Sequence, residues 1–350
     1  MRRWIALPAA MLLLVLVIAG CGSSSDDSSS STEAETTEEA GGGETPQSDI
    51  KVSYISPVAA QPGQQEVNIG LERGAAELGW SQSVLDSALS PDKQVSNIET
   101  AINQGDAAIA SWTLDPNAAG GAYEKAQAQN IPVIGVNSEG TGVTSTVWWE
   151  VQLCEPGGPQ AVSAEKIAEM KPGAKVIMVG LEVAESTKAL SECFSKEAKK
   201  AGLDVINETN NESDNAAGSQ KVFEPLLTKY PDVEAVWNYN DESALGVSAA
   251  LLAAGKTIAT ADNSDGIIVT GSNGDKGAVE AVEEGRLSWT WDPDNVATGF
   301  GCIKAMQEAL DGKKPQEIVI ESQLWDSETV AEYVAPDERD YTLDNLPIKE

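Results

Sequence analysis

Apolar positions follow two alternating rhythms along the chain. Short apolar runs at 51–55, 106–111, 132–136, 175–179, 235–237, 267–270 and 287–291 read as strands buried on both faces. Val84 with Leu85, and Val205, mark two weaker strands. Between them the apolar residues recur at helical spacing. Val67, Leu71, Ala75 and Leu78 share one helical face that stops at Gly79. Val95, Ile98 and Ile102 share another, opened by Ser90-Pro91-Asp92 and ended by Gly105. Further helices are predicted over 117–129, 161–170, 186–201, 221–229, 242–254, 276–284 and 296–310. Strand, helix, strand at this rhythm predicts parallel βαβ units, and the pattern restarts after about residue 160. The expected fold is therefore α/β, with two doubly wound lobes in one chain. Ligands of such sheets bind outside the carboxyl ends of the strands, so two lobes face to face make a cleft.

The first fifty residues break this pattern. Arg2 and Arg3 precede an apolar run over 9–17 and the sequence Ile18-Ala19-Gly20-Cys21. A short basic region, a short apolar core and small residues before a cleavage point read as a secretory signal over 1–20. The run is short for a span of about 20 residues. Its end resembles the bacterial lipoprotein signal, which implies that Cys21 becomes the first residue and is lipidated. Residues 22–48 carry no aromatic or branched aliphatic side chain and many acids, and cannot bury enough to order themselves. We read 21–49 as a lipidated cysteine and an extended acidic stalk. The mature protein is then expected outside the cytoplasm, anchored to the cell membrane by lipid alone.

Composition narrows the function of the remaining 300 or so residues, enough for two lobes of ordinary size. The net charge is −32, of which the stalk contributes −8 and the signal +2, leaving −26 on the body. That excess argues against nucleic acid and anionic membrane as partners, since both need basic patches. Histidine is absent, which removes His-based triads, bases and metal sites. No C-x-x-C spacing occurs among Cys21, Cys154, Cys193 and Cys302, so neither a redox motif nor a zinc site is indicated. An oxidising compartment permits a disulfide, for which Cys154 and Cys193 are the favoured pair; three free thiols are the alternative. Neither a cofactor nor a metal is expected, and the chain is expected to act as a monomer.

Several segments then carry a resemblance: 51–55 (KVSYI), 79–80 (GW), 130–134 (NIPVI), 230–237 (YPDVEAVW), 240–246 (NDESALG), 254–256 (AGK) and 284–287 (EGRL). In this order and spacing they resemble the type I periplasmic sugar-binding proteins over about 50–325. The resemblance implies three crossings between lobes, near Cys154, Pro293 and Gln323. The first lobe would take 50–153 and about 293–322, the second 154–292 and 323–350. The tail from Pro336 to Glu350 has no role in this reading. The same fold serves DNA-binding repressors, but the signal and the lack of a DNA-binding segment in front argue against one.

Candidate ligand-binding residues come from two sources. Trp112 and Trp291 each follow or end a buried strand, where an aromatic ring can cover the C–H face of a sugar. Trp148 and Trp149 are adjacent, so only one can face a cleft; Trp148 is our assignment. Position by position, the resemblance adds Gln61 and Gln64 after the first strand and Asn137 where the family has an Asp-Arg pair. It adds Lys188 beside the family's second-lobe arginine position, which falls on Leu190. Asp214, Asn240, Asn273 and Asp292 complete the set. The family's charged clamp is lost, which implies a neutral sugar or polyol and argues against ribose itself. The implied partner is the membrane permease of an ABC importer. A sugar-sensing receptor would use the same binding chemistry. A glycoside hydrolase acting through two carboxylates is the remaining alternative, with Asp262, Asp265, Asp275, Asp292 and Asp294 as its raw material.

Overall fold

Residue 50 opens directly into the first strand of a computed structural model that describes residues 50–261 and 263–349. The signal over 1–20, the lipidation position Cys21 and the stalk lie outside the described residues. Asp262 does too. The first run of elements is β1 (Lys51–Ser56), α1 (Pro62–Glu77), β2 (Ser81–Asp86), α2 (Pro91–Gln104), β3 (Ala108–Ser111), α3 (Pro116–Ala128), β4 (Val133–Val136) and β5 (Ser145–Trp149). The second run is α4 (Pro159–Met170), β6 (Lys175–Gly180), α5 (Glu185–Lys200), β7 (Asp204–Asn210), α6 (Ala216–Lys229), β8 (Ala235–Asn238), α7 (Asp241–Ala253), β9 (Ile268–Ser272), α8 (Lys276–Glu283) and β10 (Trp289–Asp292). The chain ends through α9 (Asn295–Leu310), β11 (Ile318–Ile320), β12 (Gln323–Asp326) and a tail.

Local chemistry explains the helix starts. Ser90 and Asp115 accept hydrogen bonds from the first-turn amides of α2 and α3, and Pro91 and Pro116 follow them at the first helical position. Gly105, with φ of 76°, takes the left-handed turn that ends α2.

The strands form two six-stranded sheets. The first has order β11-β5-β4-β3-β1-β2 and is parallel throughout. The second has order β12-β10-β9-β8-β6-β7, with β12 alone antiparallel to its neighbour. The molecule is thus α/β with two lobes. The chain crosses between sheets at 150–158, at 293–294 and at 321–322. The hydrophobic pattern does not mark β5, β11 or β12. The last two are three and four residues long and sit at sheet edges, so little burial imprints on them.

Close helix packing completes the first lobe. A Cβ added at Gly70 of α1 would lie 2.0 Å from the Val296 carbonyl oxygen, and one at Gly299 of α9 would lie 2.2 Å from that of Val67. Only glycine lets these backbones touch. Cys154, in the first crossing, is disulfide-bonded to Cys193 of α5, and Cys302 is a buried free thiol. Among the described residues no helix is long and apolar enough to cross a membrane.

The tail does not stay with the second lobe, where the sequence reading puts 323–350. Its residues 337–349 pack on first-lobe elements: Arg73 of α1 donates to the Asp337 and Arg339 carbonyls, Lys304 of α9 donates to that of Leu343, and Ile348 bridges Ile320 of β11.

Candidate functional site

The loops at the carboxyl ends of both sheets face each other. From the first lobe come Gln61 and Gln64 after β1, Leu89 after β2, Trp112 and Leu114 after β3, and Trp149 at the end of β5. From the second come Leu181 and Ala184 after β6, Thr187 and Leu190 on α5, Asp214 after β7, Tyr239 and Asn240 after β8, and Ser272 with Asn273 at β9. Gln152 joins them from the first crossing. Together they enclose a cavity of about 50 Å³. That is above the roughly 10–15 Å³ a polar cavity needs to hold one water.

The lobes are in contact around this cavity. The backbone N–H of Glu185 donates to the Leu114 carbonyl at 3.2 Å, and Trp112 Nε1 donates to Ser186 Oγ at 2.9 Å. Two wider grooves, of about 740 and 750 Å³, are different in kind. One runs along α5 and β7 of a single lobe; the other lies behind the crossings, where it meets the ends of β10 and β11 and is walled largely by β12 and the tail, away from the other strand ends.

The two tryptophans are fixed by their own hydrogen bonds. Trp112 and Trp149 meet edge to face, with ring centroids 4.7 Å apart. Trp149 Nε1 donates to Thr298 Oγ1 at 2.9 Å. With both indole N–H groups committed to protein, the rings offer the cavity apolar surface. Trp149, not Trp148, is the cleft-facing member of the pair. The strand alternation puts Trp148 on the opposite side, half-buried. Asn137 is also not on the wall. It is buried beneath it, at φ of 48°, and its Oδ1 accepts from the Trp149 N–H at 2.7 Å. It positions the tryptophan.

The polar groups fall into two sets. Gln61 caps α1, its Oε1 accepting from the Gln64 N–H at 3.0 Å, and Gln64 Oε1 accepts from the Tyr54 hydroxyl. Neither side-chain nitrogen has a hydrogen bond among the described residues. In the second lobe, Asp214 Oδ1 accepts from the Tyr239 hydroxyl and from Asn240 Nδ2, the latter at 2.7 Å. Asn240 Oδ1 meanwhile caps α7 by accepting from Ser243 N–H at 2.9 Å. Both ends of the Asn240 amide are thus spent on the protein, and its service to the cavity is to hold Asp214. Asp214 Oδ2 has no hydrogen-bond donor among the described residues. Burial pushes the Asp214 carboxyl up to about 6, against the lowering effect of Tyr239 and Asn240. Ser272 Oγ is buried on the wall without a partner.

Three other candidates lie elsewhere. Lys188 is on the exposed side of α5, 4.0 Å from Glu192, because Thr187 and Leu190 hold the inward face. Trp291 is buried against α4, its Nε1 donating to Ser163 Oγ at 2.8 Å. Asp292 is buried behind the crossings, paired with Arg339 and accepting from Trp325 Nε1. Gln61, Gln64, Trp112, Asp214, Asn240 and Asn273 are the candidates that meet at the cavity. Sequence reasoning missed Trp149, Gln152, Tyr239 and Ser272. The adjacency of Trp148 and Trp149 signalled the first. For the others no pattern distinguished them from ordinary loop and strand residues. Asp214 is the one carboxylate among the described lining residues, so the paired-acid geometry of a hydrolase is not assembled there.

Two α/β lobes with a cavity walled by the strand ends of both define a two-lobe ligand-binding protein. The periplasmic binding protein domain family matches residues 52–314. The ribose import binding protein of Escherichia coli is 32% identical over 254 residues, covering 71% of this chain and 80% of the relative. That of Bacillus subtilis is 30% identical over 254 residues, covering 71% and 78%. The myo-inositol binding protein of Caulobacter, solved with myo-inositol, superposes with a TM-score of 0.73 at 20% identity, covering 83% of this chain and 98% of that one. The chain belongs to the type I periplasmic sugar-binding protein family.

Proposed function

We propose that this protein is the extracytoplasmic binding subunit of an ABC importer, and that its cargo is one small neutral sugar or polyol held between the lobes. The observation that carries the reading is the wall itself: two indole faces, side-chain amides, one carboxylate and no basic residue. Gln61, Gln64, Trp112, Trp149, Asp214 and Asn273 are the proposed contacts, with Asn240 and Asn137 holding two of them in place. Ligand contacts made to both lobes favour the closed arrangement, which is the form a membrane permease would receive. The two ribose relatives named above are import binding proteins, and the acidic body suits basic permease loops.

The test is a thermal-shift screen of the protein against D-ribose, D-arabinose, D-allose, myo-inositol and glycerol. A ligand at a hundred times its dissociation constant should add about 2.7 kcal/mol of stability. Trp112→Ala should then weaken the responding ligand roughly a hundredfold in calorimetric titration, through lost apolar contact. Amino acids and nucleosides are screened alongside these sugars and polyols, and a protein that answers only to those would sink the sugar reading.

Lipid anchoring through Cys21 belongs to the same proposal. Cys21→Ser should move the protein from the membrane fraction to the soluble extracytoplasmic fraction; retention of an uncleaved, membrane-bound chain would count against it.

A further inference from the structure

We propose that residues 333–349 form a strap that holds the two lobes in the closed arrangement by bracing all three crossings at once. At the second crossing, Arg339 pairs with Asp292, the last residue of β10, and with Asp294, which caps α9, at 3.2 Å. One guanidinium therefore joins the end of the second sheet to the start of a first-lobe helix. Tyr341 donates to the same Asp294. At the third crossing, the Glu321 N–H donates to the Pro347 carbonyl and the Lys349 N–H to that of Val319, at 2.9 and 2.8 Å. At the first crossing, Lys349 Nζ lies 3.0 Å from Glu150 and 2.7 Å from Glu155.

The strap is also fixed to each lobe beyond the crossings. Tyr333 donates to the Gly274 carbonyl of the second lobe at 2.9 Å, and its ring meets Trp325 edge to face. On the first lobe, Glu77 accepts from the Leu343 N–H at 3.2 Å, beside the Arg73 and Lys304 contacts described above. All of these coexist with the Leu114–Glu185 and Trp112–Ser186 contacts between lobes. Interactions made in one arrangement bias the equilibrium toward it. Separating the lobes rotates the chain at the crossings, and a segment bonded across all of them resists that rotation.

Spin labels at Gln127→Cys and Lys221→Cys, exposed positions on α3 and α6, report the separation of the lobes without any ligand. The full-length protein should give a dominant short distance. The chain ending at Ala335 should shift that distribution to longer separations. Lys349→Ala should shift it the same way by less, and since this lysine is part-exposed its loss should cost little stability. A truncated protein that melts cooperatively and keeps the full-length distribution overturns the proposal. So does a full-length protein already at the longer distance. If the truncated chain does not fold, Lys349→Ala decides: a shift supports the strap and an unchanged distribution refutes it.

Discussion

The ligand-free protein should melt at progressively lower temperature as pH rises from 5 to 8, a range in which ordinary surface carboxylates are already ionised and add little slope of their own. Burial raises the Asp214 carboxyl to about 6, Asp241 to about 7 and Glu66 to about 8. Asp275 moves the same way, and both its carboxylate oxygens are buried without a partner. In the unfolded chain these groups ionise near 4. Between that value and the folded one, the native state holds protons that the unfolded state has lost. Stability therefore falls as pH climbs through the window and levels off above the folded values. Asp214 alone, held near 6 in the fold against about 4 unfolded, contributes about 3 kcal/mol across its whole window. The Glu66–Asp241–Asp275 group adds in the same direction. At a few degrees per kcal/mol, the melting temperature should drop by about 5 °C or more. At Asp86 and Asp326 desolvation pushes the carboxyl up, but their backbone and lysine partners together outweigh it and lower both groups, so they act in the opposite sense only below about pH 4. Calorimetry at constant ionic strength checks this. Asp214→Asn should flatten the part of the curve between pH 5 and 7, and a flat or rising curve in the parent protein would contradict the argument.

The same buried carboxyls show where reading the sequence succeeds and where it stops. The two rhythms of apolar positions locate the interior strands and the helices, because those elements bury whole faces. Parallel strands such as β3, β4 and β8 are buried at every position, so their pattern is nearly continuous. Short edge strands leave no such mark. Site residues are legible where type and place coincide. A tryptophan after β3 could be assigned because strand ends face the cleft, and the amides after β1 come from the family resemblance. The failures have a common cause in side-chain direction. Trp148 and Trp149 differ by one position and point to opposite faces. Trp291 and Asp292 end the right strand, yet one ring turns to α4 and the neighbouring carboxylate turns to a residue 47 positions later. Nothing local to position 292 announces Arg339. A resemblance that covers about 50–325 is equally silent about the tail in which it sits.

Arg339→Met should be the most destabilising single change in the tail, costing about 3–5 kcal/mol. The guanidinium is 8% exposed and faces Asp292 and Asp294, which are 4% and 12% exposed at their side chains. Burial alone would disfavour its charge, but Asp292 and then Asp294 outweigh that and hold it ionised. A buried ion pair gains little over an apolar pair of the same shape, yet removing one partner strands the other in a poor solvent. The loss should therefore be read as the cost of leaving Asp292 unpaired. Two consequences separate this from a simple packing defect. Arg339→Met combined with Asp292→Asn should recover a good part of the loss, since the stranded charge is gone. The single variant should also lose less at pH 4.5 than at pH 8, because Asp292, already raised by desolvation despite Arg339, rises further without it and escapes its cost by taking up a proton. Arg339→Lys should fall between, keeping the charge but losing the two-pronged geometry that meets both carboxylates. Urea midpoints at both pH values, with unchanged slope, measure all four proteins on one scale. A loss below about 1 kcal/mol, or an equal loss at the two pH values, would mean that solvent and not Arg339 compensates the acids at this crossing.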